Sequence, residues 1–288
     1  MANENQLSNM QIPTDAISAA ISEAFVTAAL GLGLVYTEMF PDKTNVLKFR
    51  KSGSLTGQTV AESANYTIDG DSELTDASVS CTAEKKVVST VHSVEAFRFG
   101  GASAQLARFT GEHGRALARL FDADLKTLFA SLSQSQTSTT TMTPDDLLGA
   151  RYQVVEAMEG AFSGQLVGMI SHKMKKELDL ALTDTAAAAF NQQVNLGLLG
   201  TTPVRTGKDL FGMILFETDG LPTSGADTQG AIWDPSAAWA AGVDGQRGVA
   251  SELLFTGSQG IHYSFTSWAF WKLVEWNDTA GVVLESDT

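Results

Sequence analysis

Apolar positions recur at helical steps from Thr14 onward, with Ile17, Ile21, Phe25 and Ala28 on one face. Thr14 or Asp15 can cap this helix, and Gly31 and Gly33 end it. The period then drops to two. FRKSGSLTG, from Phe49, and ASVSCTAEKKVVSTVHSVEAF, from Ala77, read as two long strands. In the second, Val79, Cys81 and Ala83 alternate with Ser78, Ser80, Thr82 and Glu84. Between them lies a polar stretch around IDGDSELTD, where Asp69-Gly70 is a turn signal. The predicted shape is a long hairpin with a polar tip. A hairpin with so little apolar surface is marginal alone and needs a partner.

Residues 101–132 predict one long helix of about 45 Å at 1.5 Å per residue. Leu106, Phe109, His113, Leu117, Leu120, Phe121, Asp124 and Leu128 trace its stripe. Arg108, Arg115, Arg119 and Lys126 alternate with Glu112 and Asp122 elsewhere. SQSQTSTTT, residues 133–141, reads as a polar low-complexity connection able to act as a hinge. Thr143-Pro144-Asp145-Asp146 is a strong helix start, and Leu147, Leu148, Tyr152, Val155 and Met158 predict the apolar face. QLVGMI reads as a buried strand, Ser171 as the cap of the next helix, and KDLFGMILFET as a second buried strand. IWDPSAAWAAG reads as a turn plus a short helix. Strands, rich in aromatics, return from Leu253 onward. The order indicates an α+β or α/β module.

Composition narrows the function classes. The chain has 288 residues, enough for one elaborated domain or two linked ones. Apolar residues make up 43%, which fits a folded chain. The formal net charge of −14 disfavours general nucleic-acid binding, and no lysine or arginine lies between Met1 and Asp42. Cys81 is the single cysteine, so no intrachain disulfide or cysteine metal cluster can form. The opening residues lack the blocks of a signal peptide, and the apolar run Ala24–Tyr36 is too short for a bilayer. No membrane partner is expected.

Candidate chemistry is sparse. His92, His113, His172 and His262 are far apart, and none forms an i, i+4 pair. Gly31–Leu34 lacks the third glycine of a dinucleotide loop, and Ser52–Gly57 lacks the lysine of a phosphate loop. Gly257–Gly260 is not a nucleophile elbow. Asp145 and Asp146 are explained by the helix start, and Cys81 by a small position in a strand. Trp233, Trp239, Trp268, Trp271 and Trp276 point to a core or an interface, with core favoured two to one. No catalytic site, metal or cofactor is expected.

Charge is distributed unevenly. From Lys208 onward three basic residues stand against eleven acids. Basic residues collect at Lys43–Lys51, along the long helix and at Lys173–Lys176. Solvated faces with helical ion pairs would account for this. So would complementarity between neighbouring copies, which sets register more than affinity.

The ordered set of stretches resembles the Hong Kong 97-type major capsid fold of tailed phages, shared with encapsulins. The stretches are the two hairpin arms, TPDDLLGARYQVVEAMEG…GQLVGMISHKMKKELDLAL and DLFGMILFETDGLP…GAIWDPSAAWAAG. The resemblance implies an N-terminal arm (1–42), an E-loop hairpin (43–97) and a peripheral domain with a spine helix (98–142). An axial domain (143–260) and return strands of the peripheral domain (261–288) follow. It implies a non-enzymatic subunit that self-assembles as hexamers and pentamers into an icosahedral shell. The shell would confine double-stranded DNA in a virion assembled in the host cytoplasm. An encapsulin-like compartment is the alternative. A separate scaffold, a decoration protein and a portal are implied as possible partners. Lys48, Arg50, Lys51, Asp69, Asp71, Glu73, Lys85, Lys86, Arg115 and Arg119 are the expected inter-subunit contacts. Some relatives carry a long cleaved scaffolding segment, for which the roughly 40 residues before this hairpin are too few. One branch crosslinks through an E-loop lysine. None lies between Ser52 and Glu84, so non-covalent contacts are expected at the tip, with Lys51 and Lys85 still available at the hairpin base.

Overall fold

The computed structural model describes residues 14–41, 44–51, 77–93, 102–138, 141–158, 162–183, 208–225, 227–244, 250–256 and 262–287. The N-terminal helix spans Thr14–Ala28 and buries Ile17, Ile21 and Phe25, and Ala29 is buried just beyond its end. It lies against the long helix, Ala102–Thr127. Gly114 makes that approach possible, since an added Cβ would sit 2.5 Å from the Ala24 Cβ and 2.8 Å from the Ile21 carbonyl oxygen. The long helix is 26 residues, about 39 Å, and passes into a 3-10 turn at Phe129–Ser131. Phe109, His113, Leu117, Phe121 and Leu125 are its buried stripe, while Leu120 faces outward.

Two sheets organise the rest. The first contains β1 (Tyr36–Met39), β4 (Glu84–Ser93), β11 (Trp239–Val243), β12 (Ala250–Thr256) and β13 (His262–Glu275). At 14 residues β13 is long enough to pair with three strands. It takes β12 along 262–268, β4 along 262–271 and β11 along 271–275. β1 adds to β11 in parallel. The long helix covers one face of β4 and β13.

The second sheet runs β5 (Gln134–Ser138), β14 (Gly281–Asp287), β10 (Asp227–Trp233), β6 (Leu166–Ile170), β8 (Met213–Glu217) and β7 (Lys208–Leu210). β9 (Thr223–Ser224) hooks onto β10. β6 is buried along its whole length, as its unbroken apolar run predicts. The sheets do not divide at residues 260/261. β11 joins the first, and β14, near the C-terminus, joins the second. Trp233 and Trp239 flank the crossover between them with ring centroids 4.8 Å apart, and Phe129 packs on both.

Several expectations are corrected here. SQSQTSTTT is not a free connection, because Gln134–Ser138 forms an edge strand parallel to β14. Its polar side chains are used. Gln136 accepts from Gln153 at 3.0 Å, and Thr137 donates to Glu285 at 3.0 Å. KDLFGMILFET is two strands joined by a turn at Phe211-Gly212, where both residues have positive φ, 56° and 75°. That is the backbone of a primed hairpin turn, and phenylalanine at its first position carries no sequence signal for it. IWDPSAAWAAG contains no helix. Asp234, fully buried, accepts from the Ser236 N–H and hydroxyl and the Ser163 N–H, and holds a tight turn. The alanines then enter β11, where the tertiary setting overrides their helical preference. At Gly242 an added Cβ would sit 2.5 Å from the Phe40 ring and 2.9 Å from Cys81 Sγ.

The helix at Pro144–Ala157 starts as read, with a reciprocal box between Thr143 and Asp146. Its buried face is Leu147, Ala150, Val154 and Met158, and Tyr152 points to solvent. The next helix, His172–Thr183, is capped by Ser171, whose Oγ accepts from the Met174 N–H at 3.1 Å. Among the described residues no helix is long and apolar enough to cross a membrane.

Candidate assembly surface

The hairpin base is built from β2 (Val46–Lys51) and β3 (Ala77–Thr82), antiparallel, with Leu47 opposite Cys81 and Phe49 opposite Val79. The expected second arm is two strands. At Ala83 the chain leaves β2 and continues as β4 along β13. The alternation read from sequence explains the seat of the ribbon. Cys81 faces inward and forms a small cluster with Leu47, Phe49 and Ala240, closed by Phe40, Val274 and Trp276. Burial pushes the Cys81 thiol up, so it stays a neutral packing group. Trp276 lies 6.1 Å from the Phe49 ring and donates from Nε1 to the Arg50 carbonyl at 2.9 Å. The ribbon base is thus fixed to the first sheet by its own chain. Its other side chains point away, with Lys48 and Arg50 exposed.

A second anchor joins β4 to the long helix. Lys86 sits 2.9 Å from Asp124 and 3.2 Å from Glu84, and Lys272 pairs with the same Glu84. Hydrogen bonds from Lys272 and then Lys86 hold the Glu84 carboxyl below its usual range. Burial would lower Lys86, but its bonds to Asp124 and Glu84 outweigh that and raise it. Asp124 also accepts from the Trp271 indole at 2.9 Å. A carboxylate on the apolar stripe of the long helix was the sequence signal for this cluster; its partners came from strands far away in the chain. His113, on the same stripe, is buried and bonds Thr90 and Ser267 at 2.9 Å each, matching its expected structural role.

The face of β4 turned from the helix is open. Lys85, Val87, Ser89 and Val91 are exposed there, and the Lys85 ammonium lies 4.7 Å from the Trp268 ring. Arg115 and Arg119 project from the outer side of the long helix, with Arg115 at the rim of a shallow groove between the two helices. Of the expected contacts, Lys48, Arg50, Lys85, Arg115 and Arg119 therefore stand on exposed surface. Lys86 is engaged inside the subunit. Lys51 ends β2, and Asp69, Asp71 and Glu73 lie outside the described residues. Of the five tryptophans, Trp233, Trp239 and Trp271 are core, whereas Trp268 and Trp276 are half-buried at the open sheet face and the ribbon base.

Sequence reasoning missed one further cluster. His172 lies between Glu217 and Asp219, Lys175 reaches Glu217 at 2.7 Å, and Lys126 of the long helix donates to the Asp219 carbonyl. The hydrogen bond to Glu217 raises His172 above the usual imidazole range. Among the described residues no group of three or more His, Cys, Asp or Glu is placed to hold a metal ion.

No family model matches the sequence, and no curated protein does. Solved structures match nearly the whole chain. The capsid of Ralstonia phage GP4 aligns with a TM-score of 0.63 at 13% identity, covering 88% of this chain and 87% of that one. The capsid of cyanophage P-SCSP1u gives 0.62 at 12% identity, over 91% and 89%. A virus-like particle from Pyrococcus furiosus gives 0.58 at 10% identity, over 94% and 98%. With two interleaved sheets, a helix laid across one of them and a ribbon packed over its β11 and β13, the chain has a fold resembling the Hong Kong 97-type capsid fold.

Proposed function

We propose that this chain is the shell-forming subunit of a tailed-phage capsid. The observation that carries the reading is the extent of the structural match. It runs over about nine-tenths of both chains in the two phage capsids. In this reading residues 43–97 are the E-loop, and residues 98–142 with 261–288 the peripheral domain around a spine helix. Residues 143–260 supply most of the axial domain, around which hexamers and pentamers form, and β14 returns to its sheet from the C-terminal stretch.

The hairpin base supports a clamp. It is fixed to its own subunit through Cys81, Phe49 and Trp276, while Lys48 and Arg50 stand on exposed surface where a neighbour would lie. Lys85, Arg115 and Arg119 offer further basic contacts to a protein whose C-terminal third is acidic. Obligate interfaces of this kind bury about 2,000–5,000 Å². A net-negative wall confines DNA rather than binding it by counterion release. A scaffold, a decoration protein and a portal complete the set of proposed partners, and the shell belongs to the virion.

Sedimentation and electron microscopy of the purified chain test the reading. Closed shells or capsomers are expected; a 30.6 kDa monomer under all assembly conditions overturns it. The match to the Pyrococcus particle favours a second reading, a compartment of the encapsulin type built on the same fold. Terminase and portal genes beside this gene would support the phage; a peroxidase or ferritin-like gene would support the compartment.

A further inference from the structure

We propose that His172 is a pH-sensitive tie between the last turn of the long helix and the second sheet, closed when the imidazole is protonated and loosened when it is neutral. This goes beyond the shell reading and does not depend on it.

The argument begins with donors and acceptors. His172 Nδ1 is bonded to Glu217 Oε1, and Nε2 lies 2.6 Å from Asp219 Oδ1. A carboxylate only accepts, so both ring nitrogens must donate, and only an imidazolium has two N–H groups. A neutral ring satisfies one carboxylate and turns a lone pair toward the other. The geometry therefore specifies the charged form. An ordinary histidine titrates near about 6.5, and the hydrogen bond to Glu217 moves this one upward.

The surrounding charges agree. On its own helix His172 has Lys175 one turn on, which pairs with Glu217 and opposes the imidazolium, and Asp179 beyond, whose carboxyl burial pushes up. From β8 and the loop after it come Glu217 and Asp219. Burial would raise Glu217, yet hydrogen bonds from Lys175 and His172 outweigh this and hold it ionised below its usual range. From the long helix comes Lys126, whose ammonium burial pushes down although Asp122 and Asp219 attract it.

The tie reaches the long helix through Asp219. Its carboxylate meets His172, and its backbone carbonyl accepts from Lys126 Nζ in the helix's last turn. When His172 loses its proton, Asp219 loses the contact that fixes its loop, and the Lys126 bond loses a fixed acceptor. The end of the helix and the sheet become less firmly joined. Asp219 is exposed, so the effect is graded and small.

The sign follows from the raised folded pKa. The stabilisation is fully present below the unfolded value near about 6.5 and is lost as pH rises through the higher folded value. Thermal unfolding of the full chain from pH 5.5 to 8.5, with assembly state held constant, is the test. Wild type should exceed His172→Gln by about 1–2 °C at the acid end, and the gap should close with rising pH. A gap that stays constant, or opens as pH rises, overturns the proposal. Asp219→Asn keeps the histidine and the loop backbone but removes one carboxylate. It should lower the pH at which the ring titrates, read by NMR of histidine-labelled chain, and an unchanged titration overturns the proposal even if His172→Gln does not fold. Hydrogen exchange in residues 124–128, corrected for intrinsic pH dependence, reads the coupling. Protection should fall over the same range in wild type and be low throughout in His172→Gln; identical protection in both overturns it.

Discussion

Gly111 and Gly114 lie one turn apart on the long helix, and the structure assigns opposite signs to the same substitution at each. In isolation, Gly→Ala inside a helix stabilises by about 1 kcal/mol, because alanine loses less backbone entropy. At Gly111 an added Cβ meets nothing within 4 Å, so that gain should be kept. At Gly114 it would stand 2.5 Å from the Ala24 Cβ, 2.8 Å from the Ile21 carbonyl oxygen and 3.0 Å from the Phe25 nitrogen. Two of those atoms are backbone and cannot turn aside, so the N-terminal helix must move. Overpacking of this kind costs about 1–3 kcal/mol, which exceeds the propensity gain. The expected net change is a loss of up to about 2 kcal/mol for Gly114→Ala, against a gain of up to about 1 kcal/mol for Gly111→Ala. Urea unfolding of dissociated subunits, followed by tryptophan fluorescence, measures both at constant m-value. Ala24→Gly in the Gly114→Ala background should recover part of the loss, since the Ile21 and Phe25 contacts remain. If Gly114→Ala stabilises as much as Gly111→Ala, the helix contact that seats the N-terminal segment is wrong.

Other outcomes follow from single sites. Thr143→Ala should lower stability by about 1 kcal/mol in the same assay, since it removes a cap whose hydroxyl and N–H both bond Asp146. Glu84→Gln should lower stability at neutral pH and flatten its decline toward acid. Because the folded Glu84 titrates below its usual value, the wild-type advantage in melting temperature should be present above about pH 4.3 and vanish as pH falls through the folded value. Deleting Gly57–Thr75 should leave a folded subunit that builds no shells, and normal assembly by sedimentation would refute the proposed clamp.

Much of the fold is legible along the chain because the forces that specify it act over one or two turns. The Thr143 cap, the Ser171 cap, the unbroken apolar run Leu166–Ile170 and the inward position of Cys81 are all short-range chemistry. The buried stripe of the long helix follows from its period, and even Asp124 on that stripe announces a hidden partner. Other features depend on what lies opposite. Gln134–Ser138 is a strand because β14 needs a neighbour, although its own residues are those of a linker. Ala240, Ala241 and Gly242 are extended because the space between β1 and β13, under Phe40 and Cys81, admits only small side chains. Phe211 takes a left-handed turn that its own side chain disfavours, because β7 and β8 pair on either side of it. Lys86 reads as a free basic contact until β4 crosses the long helix and brings Asp124 within 2.9 Å. The His172 tie joins residues 126, 172, 217 and 219, and no local pattern links them. Periodicity and capping therefore set most elements and the hairpin's need for a partner. Strand pairing between distant segments decided which polar groups are spent inside the subunit and which remain for another copy.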